Sequence, residues 1–290
     1  MLKSRSMAAR STPPLRLGYF GRAGSFSHVA AARRFPRGNL SECPTVEEAF
    51  ARLHSGEFTH ILVPIENASS GMITNTADQL MRLVKTEAGA QFQIREALAM
   101  RIQLVLMAKP NAKIERIYSH PAPFDHSRAW LDKHYPKAER IPVSSTSEAA
   151  IMAATDATST SAAIAGIQAV KEHGLEIVSH AVGGEVANQT TFIVVGAPLT
   201  QSARPTHTSL VFELPHKAGS LVAVLNILAR RKLNLTKILS RPIPGRFEEY
   251  RFMIEFLGAA SAKNVVEALA RIRRITDFLA IIGSYPVRKI

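Results

Sequence analysis

The chain has 290 residues and a single cysteine, Cys43. One thiol forms no internal disulfide and builds no cysteine zinc site, so a secreted disulfide scaffold is excluded and a reducing cytosol or stroma is expected. No apolar run approaches the roughly 18–20 residues that span a bilayer, so no transmembrane helix and no membrane partner is expected. Neither GxGxxG nor GxxxxGK(S/T) occurs, which leaves dinucleotide and P-loop sites without support. HExxH, paired cysteines and the GxSxG elbow are also missing. The expectation is a protein with no metal and no organic cofactor. Hydrophobic residues make up 46% and charged residues 20%, with a mean hydropathy of +0.03. That composition supports a real core and argues against bulk disorder. At roughly 150 residues per domain, the length suggests about two domains.

Acidic residues are absent from positions 1–41, which hold eight Lys/Arg, and scarce in 230–290, where thirteen Lys/Arg face five acids. The middle, 42–229, is slightly acidic within a net charge of +13. The densest basic clusters are Arg230-Arg231-Lys232 and Arg271-Ile272-Arg273-Arg274. No nucleic-acid module accompanies them, so solvated helix faces are the preferred reading and no nucleic-acid partner is expected. Residues 1–14 are Arg/Ser-rich without a 7–15-residue apolar core, which reads as a disordered leader rather than a secretory signal.

Strand and helix patterns alternate through the first two thirds of the chain. Leu15–Phe20 reads as a strand, followed by a turn at Gly21–Gly24 and a helix capped by Ser25. Helices are expected at 46–53, 76–83, 125–135, after 144–147, and at 167–173, where Gly174 closes the last. Apolar strands are expected at 60–64, within 91–107, at 117–120, 161–164 and 192–195. This is an α/β pattern with a mainly parallel sheet. Residues 199–205 have linker composition, and the order then changes to strand, helix, two strands, helix, strand over 206–290, a ferredoxin-like βαββαβ sandwich. In the expected strand 250–257, Tyr250, Phe252, Ile254 and Phe256 share one side.

Three polar loops follow strands in the first domain: 21–28, 66–71 and 188–191. Ligands of open α/β sheets bind at the carboxyl ends of strands, and helix N-termini there favour carboxylates or phosphates. A cleft carrying Ser25, Ser27, Asn67, Ser69, Ser70 and Thr190 is therefore suited to a small polyanion. His28 and Glu66 stand beside these loops, where a structural histidine and a loop-fixing carboxylate are the competing readings.

The residues also resemble a known family. Gly21-Arg22-Ala23-Gly24-Ser25-Phe26-Ser27-His28 is similar to the GPxG(T/S)FSH opening of prephenate dehydratases, and Pro64-Ile65-Glu66-Asn67-Ala68-Ser69-Ser70-Gly71 to their PIENSxxG loop. Ser119-His120-Pro121, Ser145-Thr146-Ser147-Glu148 and His173-Gly174-Leu175-Glu176 follow in the family order, and Asn188-Gln189-Thr190-Thr191-Phe192 resembles N-x-T-R-F. The C-terminal part resembles an ACT domain, an amino-acid sensor: Gly219-Ser220-Leu221 is similar to its G-A-L loop, and Asn234–Pro242 to N-(L/M)-T-K-I-E-S-R-P.

The resemblance implies a two-lobed, periplasmic-binding-protein-like catalytic domain over 15–198, with lobes 15–92 plus 176–198 and 93–175, followed by the ACT domain. It implies decarboxylating dehydration of prephenate to phenylpyruvate, without cofactor, with Thr190 assisting departure of the ring hydroxyl. Ser25, Phe26, Ser27, Asn67, Ser69, Ser70, Gly71, Asn188, Thr191 and Phe192 would bind substrate. The motif's arginine, replaced here by Thr191, would supply a cation or a brace near the substrate. Gly219, Ser220, Leu221, Leu239, Ser240, Arg241 and Pro242 would line an effector site for L-phenylalanine, with Leu239 in place of the segment's glutamate. A homo-dimer or homo-tetramer is implied. Arogenate dehydration, non-aromatising decarboxylation of prephenate, and a catalytically inactive amino-acid-binding module are the alternatives.

Overall fold

The computed structural model describes residues 15–86, 91–183, 188–199 and 202–290. The expected leader, and residues 200–201 of the expected linker, lie outside the described residues. The first lobe contains β1 (Arg16–Phe20), α1 (Phe26–Arg34), β2 (Asn39–Cys43), α2 (Val46–His54), β3 (His60–Asn67), β4 (Gly71–Met72), α3 (Thr74–Leu83) and β5 (Gln93–Arg101). The second lobe contains β6 (Leu104–Ala108), β7 (Arg116–Ser119), α4 (Pro121–His134), β8 (Glu139–Pro142), α5 (Thr146–Thr155), β9 (Ser161–Gly166), α6 (Gln168–His173) and β10 (Glu176–Ser179). β11 (Gln189–Gly196) returns to the first lobe. The C-terminal sandwich comprises β12 (His207–Glu213), α7 (Ser220–Arg230), β13 (Leu235–Pro242), β14 (Tyr250–Leu257), α8 (Lys263–Arg273) and β15 (Phe278–Tyr285), with β16 (Val287–Lys289) as a tail. No helix among the described residues is long and apolar enough to cross a membrane.

Local chemistry sets the helix ends. The Ser25, Thr45 and Ser145 side chains each accept from the backbone N–H three residues on, capping α1, α2 and α5. Gly174, at φ 66°, ends α6 in the left-handed conformation. The strands missed by sequence reading are β2, β4, β8, β10 and β16. None carries a continuous buried run, so hydrophobic periodicity had little to report.

The first-lobe sheet runs β2-β1-β3-β11-β5 and the second β10-β6-β9-β7-β8. Each contains two parallel and two antiparallel pairings, which corrects the expected mainly parallel sheet. The crossovers explain it: β5 and β11 enter and leave the lobe boundary in opposite directions and pair with each other. Sheet membership also moves the lobe boundaries. β5 pairs with β11, so the crossover falls after Arg101 rather than at 92. β10 pairs with β6 and belongs to the second lobe rather than the first. The two crossing segments are tied where the Ile102 N–H donates to the Asn188 carbonyl at 2.7 Å.

The sandwich has a core of its own, with Leu210, Phe212, Ile254 and Phe256 packed beneath Val224, Leu228, Val265 and Ile272 of α7 and α8. The other face of its sheet is also buried. Val211, Met253, Ile282 and Tyr285 pack with Ala77, Leu80 and Met81 of α3 in the first-lobe core. β14 is thus sandwiched: Met253 and Glu255, on the side opposite Ile254 and Phe256, are buried as well. β15 and β16 both pair with β5, so the sensor sheet continues into the first-lobe sheet.

Candidate active site

A cleft of about 860 Å³ lies between the lobes. Three helix N-termini contribute to its wall: Ser25, Phe26 and Ser27 of α1, His120, Ala122 and Pro123 of α4, and Ser145, Thr146 and Ser147 of α5. Neither α1 nor α4 has an acidic residue in its first turn, so no carboxylate offsets their positive dipole ends. In α4, Pro121 and Pro123 carry no N–H and the Ala122 N–H donates to His120, so backbone N–H donation to the cleft is left to α1 and α5. In α5, Glu148 occupies part of that role, accepting from the Ser144 N–H at 3.0 Å. His120 caps α4 through Nδ1, and desolvation pushes its pKa below the ordinary 6.5, so it is neutral at pH 7.

Asn67, Asn188 and Thr190 form the floor. Asn67 Nδ2 donates to Asn188 Oδ1 at 2.8 Å and to Thr190 Oγ1 at 2.9 Å. Its Oδ1 accepts from the backbone N–H groups of Ser69 and Ser70 at 3.0 and 3.2 Å. The loop therefore fixes the amide, and the amide fills an acceptor site of the threonine hydroxyl, whose own hydrogen stays available to the cleft. A β-bulge builds this arrangement. Ile65 is the extra residue between the pairs Phe192↔Pro64 and Thr191↔Glu66. Directly opposed residues share a face, so Asn67 and Thr190 point into the cleft while Glu66 and Thr191 point away from it.

Most sequence-expected residues meet here. Ser25, Phe26, Ser27, Asn67, Ser70, Asn188, Thr190 and Phe192 line one cleft. Ser69, Gly71 and Thr191 do not: Ser69 supplies a loop N–H to Asn67, Gly71 turns the chain at φ 79°, and Thr191 faces away because neighbouring residues of β11 alternate. Residue 191 lies in a strand rather than in the expected loop 188–191, and the strand period of two keeps 190 and 191 from both facing one cleft. His28 holds the first loop, accepting at Nδ1 from the Gly24 N–H at 3.0 Å, and is structural. The sequence reading missed the second-lobe wall, His120, His126 and Ser144–Ser147, and also Arg22 and Glu42. The Ser-Thr-Ser run before an alanine-rich helix was the available signal for the first group.

The effector-site residues are distributed unevenly. Arg241 makes a two-point pair with Asp78 of α3, at 2.7 Å for both contacts. Leu239 packs on the first-lobe core. Ser240 and Pro242 are exposed, Leu221 packs on the sandwich core, and Ser220 donates to the Pro215 carbonyl at 2.9 Å. Gly219 precedes α7 at φ 85°. The basic clusters fall at the C-terminal ends of α7 and α8, where cations complement the helix dipole. Among the described residues no group of three or more His, Cys, Asp or Glu is placed to hold a metal.

Two lobes flanking a cleft walled by helix N-termini, with an attached ferredoxin-like sandwich, define a two-lobed enzyme with a sensor domain. The prephenate dehydratase family profile matches residues 17–199 and the ACT domain profile residues 208–274. The chain belongs to the prephenate dehydratase family, lyases that convert prephenate to phenylpyruvate on the route to L-phenylalanine. It is 32% identical over 277 residues to a bifunctional chorismate mutase/prephenate dehydratase of Neisseria gonorrhoeae, covering 94% of this chain and 75% of that one. It is 29% identical over 310 residues to arogenate dehydratase/prephenate dehydratase 6, chloroplastic, of Arabidopsis thaliana, covering 99% of this chain and 73% of that one. A solved structure, the prephenate dehydratase of Arthrobacter aurescens in complex with L-Phe, superposes with a TM-score of 0.82 at 30% identity, covering 94% and 90% of the two chains.

Proposed function

We propose that Thr190 promotes loss of the ring hydroxyl of prephenate while the surrounding helix N-termini hold its carboxylates. The observation that carries this reading is the Asn67 Nδ2 contact on Thr190 Oγ1 at 2.9 Å, which leaves the threonine hydrogen to donate. As the ring C–COO⁻ bond breaks, its electron pair moves into the ring and the C–O bond at the opposite carbon opens. The departing oxygen takes a proton and leaves as water; the products are phenylpyruvate and carbon dioxide. A threonine hydroxyl is a weak acid, so positioning must supply much of the effect. The Asn67 N–H also stabilises negative charge that builds on Oγ1 as its proton shifts.

Arogenate is the second reading. Glu42 is on the cleft wall and offers a carboxylate to an ammonium that prephenate lacks. The sandwich is read as a sensor of L-phenylalanine, the ligand named for the Arthrobacter relative. A homo-dimer or homo-tetramer is proposed because β13 is the outer strand of its sheet and exposes Ile238. A cytoplasmic placement accords with the lone, free and buried Cys43. Thr190→Ala tests the assignment: kcat is expected to fall at least about 10²-fold, with KM little changed. Turnover within a few-fold of the parent would remove Thr190 from this role.

A further inference from the structure

The cleft that holds a dianion carries one Lys/Arg among its lining residues, Arg22. The family opening GPxG has proline at that position, so this cation departs from the motif. Arg22 lies between Gly21 (φ 91°) and Gly24 (φ 77°), in the loop that joins β1 to the N-terminus of α1. Its guanidinium has no salt-bridge partner among the described residues, whereas Arg52 and Arg116, for example, are paired. Its charge also reaches across the cleft. After the Ser144 hydroxyl and N–H, Arg22 contributes to holding the Glu148 carboxyl of α5 below its ordinary range.

Sheet geometry places Arg22 opposite the catalytic threonine. β3 separates β1 from β11. At about 4.8 Å per strand, the loop after β1 is displaced about 10 Å across the sheet from the Thr190 end of β11. In prephenate the hydroxyl and the carbon bearing both carboxylate-containing groups are at opposite ends of the ring. A substrate with its hydroxyl at Thr190 therefore presents its carboxylates toward the first loop. We propose that Arg22 is a substrate-anchoring residue, its guanidinium taking one carboxylate of the dianion beside the N-terminus of α1. This rests on the dehydratase reading for the substrate's identity. An arginine adds a charge-assisted, two-pronged contact to N–H groups that carry only partial charge.

The test combines kinetics with binding. Arg22→Met is expected to raise KM for prephenate about 10- to 100-fold while kcat stays within about threefold, with Arg22→Lys between the two. Calorimetric titration of prephenate into Thr190→Ala and Thr190→Ala/Arg22→Met proteins should show the same loss in affinity. A KM and affinity within about twofold of the parent would overturn the assignment, as would failure of the Thr190→Ala protein to bind prephenate. If the wild-type protein binds prephenate without forming phenylpyruvate, the dehydratase reading fails alone. An Arg22-dependent affinity measured in that protein would still support the anchor, and an Arg22-independent one would refute it.

Discussion

An asparagine side chain offers two N–H donors and one carbonyl oxygen, and Asn67 uses all of them. That saturation gives the threonine hydroxyl a direction. Asn67→Asp would keep an acceptor for the Ser69 and Ser70 N–H groups but turn a second acceptor toward Thr190. The threonine would then donate to the new carboxylate instead of to substrate. The expected result is a fall in kcat of about 10²-fold with a melting temperature close to the parent's. A near-parental kcat in steady-state assays would show that the amide does not orient Thr190. The motifs Pro64–Gly71 and Asn188–Phe192 made the participants legible in the sequence. Their division of labour was not legible, because it depends on the extra residue Ile65, which shifts the register so that Asn67 rather than Glu66 opposes Thr190.

Strand β13 has an alternating pattern of half-buried and exposed residues from end to end. Leu235 packs in the sandwich core, and the other three half-buried residues each find a partner in the first lobe. Lys237 reaches Glu66 at 3.3 Å, Leu239 joins the core beneath α2 and α3, and Arg241 pairs with Asp78. An amino-acid effector needs an acceptor for its ammonium. Position 239 supplies no carboxylate, and Arg241 is already engaged by Asp78. An unpaired buried charge costs a few kcal/mol, or about two decades in affinity. Inhibition by L-phenylalanine is therefore expected to be weak, with little effect at micromolar ligand in a titration of activity. Half-inhibition at low micromolar phenylalanine would show that other groups meet the ammonium. The segment Asn234–Pro242 announced a strand and a sensor. It could not announce the docking partners, which lie more than 150 residues away in the chain.

Across the molecule, the sandwich is fused to the catalytic domain rather than tethered beside it. Its sheet joins the first-lobe sheet through β5, and Arg288 of the tail pairs with buried Glu96. Lys237 also holds buried Glu255 at 2.6 Å, and Tyr285 donates to the same carboxylate at 2.6 Å. Burial alone would raise the Glu255 pKa; Lys237, Thr236 and Tyr285 overcome it and hold the carboxyl below its ordinary value of 4.5. One lysine thus spans from the sensor interior to Glu66, the neighbour of Asn67. The order of domains, most helices and the α/β class were readable from periodicity and caps. The fused sheet was not, since β16 and the buried second face of β14 have patterns that local periodicity assigns to solvent. The central claim is that this assembly dehydrates prephenate. Its most direct test is product analysis by mass spectrometry after the wild-type protein is offered prephenate and arogenate separately. The account predicts phenylpyruvate with release of carbon dioxide from prephenate, at a higher kcat/KM than for arogenate. Recovery of unchanged prephenate, formation of a dihydro-hydroxyphenylpyruvate, or preference for arogenate would contradict it.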